Sequence, residues 1–273
     1  MPPLTELIML AGLLAFAGAV AGLLAGVFGI GGGAILVPVF YQIFPLVGID
    51  DAVRMHLAVG TSIAVIVPTS IRSFAAHRQR GAVDTRLLRG WVIAVPLGAV
   101  LATVIAAKAS SEALRGIFAV FALLLAFRMI ANRSHWHLGS ELPGEPARFA
   151  VGTGIGVLSG LMGIGGGVLN NTFMTLYGRP IHQAIATSSA VGVLISLPGL
   201  FGYIWAGWGD TLLPPFSTGF VNWIAVALII PVTLLMAPIG ARIAHAMSKR
   251  QLEIGFGIFL LTVSARFFYS LYG

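Results

Sequence analysis

From Leu7 to Ile49 the chain carries no charged residue. Those 43 residues would make about 65 Å of helix at 1.5 Å per residue, and one bilayer crossing needs only about 30 Å. A single straight helix is therefore excluded. Near the middle lies Gly26-Val27-Phe28-Gly29-Ile30-Gly31-Gly32-Gly33, a glycine cluster that breaks a helix. The simplest object is a hairpin: one helix to about Phe28, a turn at Gly29 to Gly33, and a second helix to about Phe44. Lipid tolerates such a break only where the backbone is buried in protein or lines a cavity.

The same device occurs again at Gly160-Leu161-Met162-Gly163-Ile164-Gly165-Gly166-Gly167, inside a second uncharged stretch from Phe149 to Gly178. At about 45 Å that stretch is too short for two full crossings, which predicts a re-entrant hairpin. Ordinary spans are predicted at His56–Ala76, Gly90–Ala107, Ala113–Ile130, His182–Trp205, Phe220–Ala241 and Leu252–Tyr269. A polar linker, Ala131–Arg148 with Pro143, Gly144 and Pro146, separates two halves, 1–136 and 137–273. With 58% hydrophobic and 9% charged residues, the chain lacks the polar surface of a soluble globule, which carries roughly 25% charged residues. The lipid bilayer is its solvent.

The halves match beyond the glycines. His56-Leu57-Ala58-Val59-Gly60-Thr61-Ser62 parallels His182-Gln183-Ala184-Ile185-Ala186-Thr187-Ser188, and Pro96-Leu97-Gly98-Ala99 parallels Pro238-Ile239-Gly240-Ala241. Leu114, Phe118, Phe121 and Arg128 match Leu252, Phe256, Phe259 and Arg266 at one offset. The loop from His77 to Arg89 holds Arg78, Arg80, Arg86 and Arg89, which makes it cytoplasmic by the excess of basic residues on that side. Its counterpart, Ala206 to Ser217, has Asp210 and no base. The halves thus have opposite sidedness, with both termini outside. The fold expected is an all-α polytopic membrane protein of two inverted repeats, each a glycine-tipped hairpin plus three spans. The tips enter from opposite faces and meet near the bilayer centre.

A helix starting after each glycine run presents unpaired N–H groups and a positive dipole end. Two such ends aimed at one point make an anion site. The candidate substrate contacts are Gly31, Gly32, Gly33, Gly165, Gly166 and Gly167; the other use of such glycines is close helix packing. Asn170 and Asn171 follow the second run within a turn, where the first half has Leu36 and Val37. They either bind substrate or bond the hairpin turn. Thr61, Ser62, Thr187, Ser188 and Ser189 offer hydroxyl donors, or else bond their own i−4 carbonyls.

His56 and His182 open matching helices and either orient the helix entry or line a vestibule. Arg72 snorkels to the cytoplasmic surface, with substrate attraction at the inner vestibule as its other role.

All nine acids (Glu6, Asp50, Asp51, Asp84, Glu112, Glu141, Glu145, Asp210 and Glu253) fall in loops or at predicted span ends. Cation and proton carriers usually keep a carboxylate within the membrane, so a divalent-metal permease is disfavoured. No cysteine is present, hence no thiolate nucleophile or disulfide. There is no phosphate-binding P-loop motif and no zinc-protease motif, and no cofactor or metal is expected. The net charge of +7 sits in short loops, where it sets topology rather than binding nucleic acid. A channel-like anion permease is the main alternative to a carrier; an intramembrane enzyme using His56 or His182 as base is a weaker one.

The paired Gly-x-Gly-Gly-Gly runs, the first continuing as Ala34-Ile35-Leu36-Val37-Pro38, together with the His-x-x-x-x-Thr-Ser repeats and the basic loop before Trp91, resemble the TauE/SafE family of sulfite exporters over essentially the whole chain. The second repeat departs from the first in having Asn170-Asn171. The resemblance implies a multi-pass protein of the bacterial plasma membrane that exports sulfite, sulfoacetate or a related sulfur oxyanion. The expected partners are that small anion and the lipid bilayer, with a homodimer as the candidate assembly.

Overall fold

The computed structural model describes residues 12, 15–16, 18–24, 33–79, 81–131, 139 and 141–272, apart from the side chains at 237, 238, 241, 244, 245 and 249. Residues 18–24 are helical. α1 (Gly33–Ile43) starts at the last glycine of the first run and passes into a 3-10 turn, Phe44–Val47, closed by Gly48 at φ 73°. Three long helices follow: α2 (Asp51–Gln79), α3 (Thr85–Lys108) and α4 (Ser111–Ile130). α5 (Glu145–Met162) and α6 (Gly167–Leu176) flank the second glycine run. α7 (Ile181–Ala206) leads into a short antiparallel ribbon, β1 (Ser217–Thr218) and β2 (Val221–Asn222), with Ser217 opposite Asn222. α8 (Trp223–Ala246) and α9 (Lys249–Tyr272) end the chain.

Five of these helices are long and apolar enough to cross a membrane: α2, α3, α4, α7 and α9 from Arg250 onward. Gly33–Val47 and the Trp223–Met236 part of α8 are shorter apolar helices. The chain is an all-α, multi-span membrane protein. Large apolar side chains on α3 (Val92, Ile93, Leu97, Val100, Leu101) and α4 (Val120, Leu124, Phe127) point outward, as a lipid-facing surface requires.

Polar caps set where three helices begin: α3 and α4 start before their predicted spans, at Thr85 and Ser111, and α8 starts after its own, at Trp223. Asp84 accepts from Leu87 N at 3.0 Å, Ser110 from Ala113 N at 3.1 Å and Asn222 from Ala225 N at 3.0 Å. Each thereby satisfies an orphan N–H of a first turn. The second interrupted segment has unequal arms: α5, of 18 residues, is about 27 Å long, whereas α6 has only 10 residues. The first turn, at Gly29 to Gly32, lies outside the described residues, as does the boundary at 136/137. The ribbon is a departure from the sequence expectation; Gly219 at φ 54° allows its reversal.

α2 and α7 form the centre. More than half of each one's apolar window is buried, against 39% for α4. They pack antiparallel, with Ile63 beside Gly199 and Ser70 beside Gly192. α5 lies parallel to α3 through a stripe of glycines one turn apart. Gly152 rests on Trp91, Gly156 on Val95 and Gly98, and Gly160 on Ala102. Membrane helices approach most closely at such small residues. A Cβ on Gly98 would collide with the Thr153 carbonyl oxygen. Gly98→Val is expected to lower stability by about 3 kcal/mol or prevent accumulation, since overpacking against backbone has no flexible side chain to yield. Monodispersity and melting of the detergent-solubilised variant check this; a wild-type profile would contradict it.

Helices of the two sequence halves interleave. α3 of the first packs on α5 and α7 of the second.

Candidate functional site

α5 ends where Gly163 takes φ 63° and donates its N–H to Ser159 O, with Ile164 N on the same carbonyl at 3.0 Å. This glycine-closed helix end satisfies late carbonyls. Gly166, at φ 70°, is the N-cap of α6. Residues 163–168 are all buried, enclosed by Val37 of α1, Val59 and Ile66 of α2, and Val191, Gly192 and Ile195 of α7. The break thus sits inside protein, as lipid demands. The first backbone bond of α6 runs from Asn170 N to Gly166 O at 2.9 Å. The N–H groups of Gly167, Val168 and Leu169 have no intrahelical acceptor, as in any first turn.

The described end of the first glycine run reaches this place. A Cβ on Gly33 would lie 2.6 Å from Gly163 O and 2.8 Å from Ile164 Cα. The start of α1 therefore touches the backbone of the second break. Gly31 and Gly32 lie outside the described residues. Ser62 clamps the junction, donating its hydroxyl to Gly163 O at 3.0 Å.

The asparagine pair forms a directed chain one turn further on. Asn170 Nδ2 donates to Ser188 Oγ at 2.6 Å, and Ser188 Oγ donates to Asn171 Oδ1 at 2.6 Å. Asn170 is fully buried, and its Oδ1 has no partner. Neither has Ser159 Oγ, also fully buried, which lies 3.7 Å from the position of a Cβ on Gly166. Unpaired buried polar atoms are uncommon and costly. Two of them flank a helix start whose first three amides have no intrahelical acceptor. Ser159 escaped the sequence reading, because one serine in an apolar helix reads as a residue bonding its own i−4 carbonyl. The available signal was its place four residues before the αL glycine that ends the helix.

The other candidates sit elsewhere. Thr61 Oγ1 accepts from Asn222 N at 3.1 Å, and Thr187 Oγ1 accepts from Asp84 N at 2.9 Å. Each threonine thus holds the N-cap of a helix belonging to the other half. Ser189 bonds Ala186 O of its own helix at 2.6 Å. His56 is buried with Nε2 3.0 Å from Ala106 O and 3.1 Å from Ala109 O, its ring stacked on Phe220. With two carbonyl partners Nε2 must be the donor, so His56 caps the end of α3 and fits the orienting role. His182 and Arg72 are exposed. Among the described residues no group of three or more His, Asp or Glu could hold a metal ion.

A profile described as Sulfite exporter TauE/SafE matches residues 14–267. A probable membrane transporter protein of Haemophilus influenzae is 32% identical over 251 residues, covering 92% of this chain and 95% of that protein. Another of Methanocaldococcus jannaschii is 29% identical, with 91% and 92% covered. Bacillus subtilis YunE, also a probable membrane transporter protein, is 24% identical, with 93% and 95% covered. No solved structure matches.

Proposed function

The chain belongs to the TauE/SafE family of membrane transporters, and on that premise we propose that it exports a small sulfur oxyanion, sulfite or an organosulfonate, across the bacterial plasma membrane. The anion binds between the two glycine breaks. The observation that carries this reading is the junction of Gly33 with Gly163, buried beside an α6 N-terminus and the unpartnered Ser159 hydroxyl. Fixed N–H dipoles and neutral donors in a dry site stabilise negative charge without a counter-cation. Asn170, Asn171 and Ser188 supply orientation from one side, and Gly165 to Gly167 supply backbone.

The inverted-repeat arrangement fits the two threonine latches. Asp84 and Asn222 stand 138 residues apart, the offset that also relates Leu114 to Leu252. Alternating access then follows from rocking one repeat against the other about the fixed site. The membrane potential favours export by about 2.3 kcal/mol per charge per 100 mV, so no coupling ion is required. Thr61→Val leaves the buried Asn222 N–H unpaired and Thr187→Val the half-buried Asp84 N–H, and both should destabilise, by about 1–3 kcal/mol for the first and less for the second. Thermal melting of the two variants checks this, and unchanged melting in either would contradict the latch.

Titration of the purified protein with sulfite, thiosulfate, sulfoacetate, taurine and sulfate tests the substrate reading. Sulfite or sulfoacetate at a hundred times its Kd should stabilise the fold by about 2.7 kcal/mol. Taurine, whose ammonium finds no carboxylate here, should give no shift. Absence of any anion effect would sink the reading.

A further inference from the structure

A second polar cluster lies at the other end of α1, away from the glycine junction. It joins the end of α1, the starts of α2 and α4, and the end of α9. Tyr41 OH accepts from Arg115 Nη1 and donates to Asp51 Oδ1 at 3.1 Å. Arg54 Nη1 meets the same carboxylate oxygen at 2.9 Å and its Nη2 donates to Ile49 O at 3.1 Å. Arg115 Nη1 also approaches Ser270 Oγ at 3.4 Å. Both guanidinium groups lie over the Tyr41 ring, at 5.5 and 5.6 Å from its centre.

Two features of the cluster are unexplained by packing. First, among the described residues its charge does not balance. Two guanidinium groups share one carboxylate: Arg54 and Tyr41 hold its Oδ1, while its Oδ2 stands 3.6 Å from Arg115 Nη2 and the Asp51 side chain is 47% exposed. Among the described residues, Asp50 and Glu112, the nearest acids in sequence, make no ion pair with either arginine. Arg115 is nonetheless almost wholly buried, at 4%, where an uncompensated charge is strongly disfavoured. Second, donors are left over. The Nε atoms of Arg54 and Arg115 are both buried and unpartnered. On Arg115, Nη1 is occupied, whereas Nε and Nη2 form the side-on edge that grips a carboxylate, sulfonate or phosphate with two parallel bonds. That edge holds only the distant Asp51 oxygen.

We propose that the Nε/Nη2 edge of Arg115, with Arg54 beside it, is a second anion site. It takes one sulfonate- or phosphate-type oxyanion group when Asp51 swings outward. A monoanion would bring the two arginines and Asp51 to zero net charge. The group comes either from a free anion or from an anionic lipid headgroup. The site lies at the end of α2 opposite the basic loop 77–89, so a free anion bound there stands outside the glycine junction. The proposal does not depend on that junction binding anything.

The test uses full-length protein carrying Asn170→Asp, which disables the junction, so that any remaining anion response reports this site. Thermal stability is followed during titration with sodium sulfite in neutral detergent, and separately on adding phosphatidylglycerol or phosphatidylcholine. Asp51→Asn removes the competing carboxylate, and should lower the half-effective concentration of sulfite or phosphatidylglycerol at least fivefold. Arg115→Gln should remove the response, and Arg115→Lys, which keeps charge without the bidentate edge, should weaken it at least fivefold. A sulfite response marks a free-anion site and a phosphatidylglycerol response a lipid site. An Asp51→Asn protein that responds to neither, or a response that survives Arg115→Gln, would overturn the proposal. The first outcome holds even if Arg115→Gln does not fold.

Discussion

Gly33→Leu is expected to abolish transport, by at least 100-fold, while the protein still inserts and remains monodisperse. Leucine is favourable in a membrane helix, so insertion is not the issue. The obstacle is local: the new Cβ would lie 2.6 Å from Gly163 O and 2.8 Å from Ile164 Cα. Both are backbone atoms, which cannot rotate away as a side-chain terminus can. The two breaks must separate, and the N–H groups of α6 lose their fixed direction. Misplacing a binding group by about 1 Å costs roughly 100-fold. Sulfite flux in proteoliposomes, normalised to inserted protein, reads the effect. Flux at the wild-type level would show that the junction is mere packing.

Asn170→Asp is expected to lower flux about 100-fold at neutral pH with little change of shape. The substitution is isosteric, and Asn170 is fully buried. It exchanges the amide that donates to Ser188 for an acceptor bearing negative charge. A carboxylate at membrane depth is disfavoured by about 2.5–3.5 kcal/mol, and it would repel an anion in the same pocket. About 2.8 kcal/mol corresponds to a factor of 100. Asn170→Ala, which adds no charge, should lose less. An aspartate variant within twofold of wild type would remove Asn170 from the site.

Long apolar helices and the second interruption were legible in the sequence because lipid leaves few alternatives. An uncharged 43-residue run cannot be one helix, and glycines mark where it breaks. Asn170, Asn171 and Ser188 stood out because polar side chains deep in apolar segments need a reason, and the structure joins them in one hydrogen-bonded chain. The distribution of hydroxyls was not legible in the sequence. Thr61 and Ser62 are adjacent on α2 but face apart, one to Asn222 and the other to Gly163, and only the packing around α2 decides which. The Arg115 cluster was equally hidden. Its partners lie 74 and 155 residues away in sequence, and an arginine near a helix start reads as an interfacial anchor. The pairing of His56 with His182 holds in sequence but not in environment. The first is capped over α3 by the ribbon's Phe220, whereas the second is exposed.

The transported anion is expected to bind at the second glycine break, where Ser159 and residues 163–168 are buried. The chain has no native cysteine, so Ser159→Cys introduces a single thiol beside Gly166. Its rate of modification by a small, membrane-impermeant thiosulfonate reagent, in proteoliposomes with and without sulfite, is the direct measurement. The expected result is labelling that sulfite slows in a saturable way, at the concentrations that half-saturate flux. Labelling that proceeds at the same rate whatever anion is present, in a variant that still transports, would contradict it.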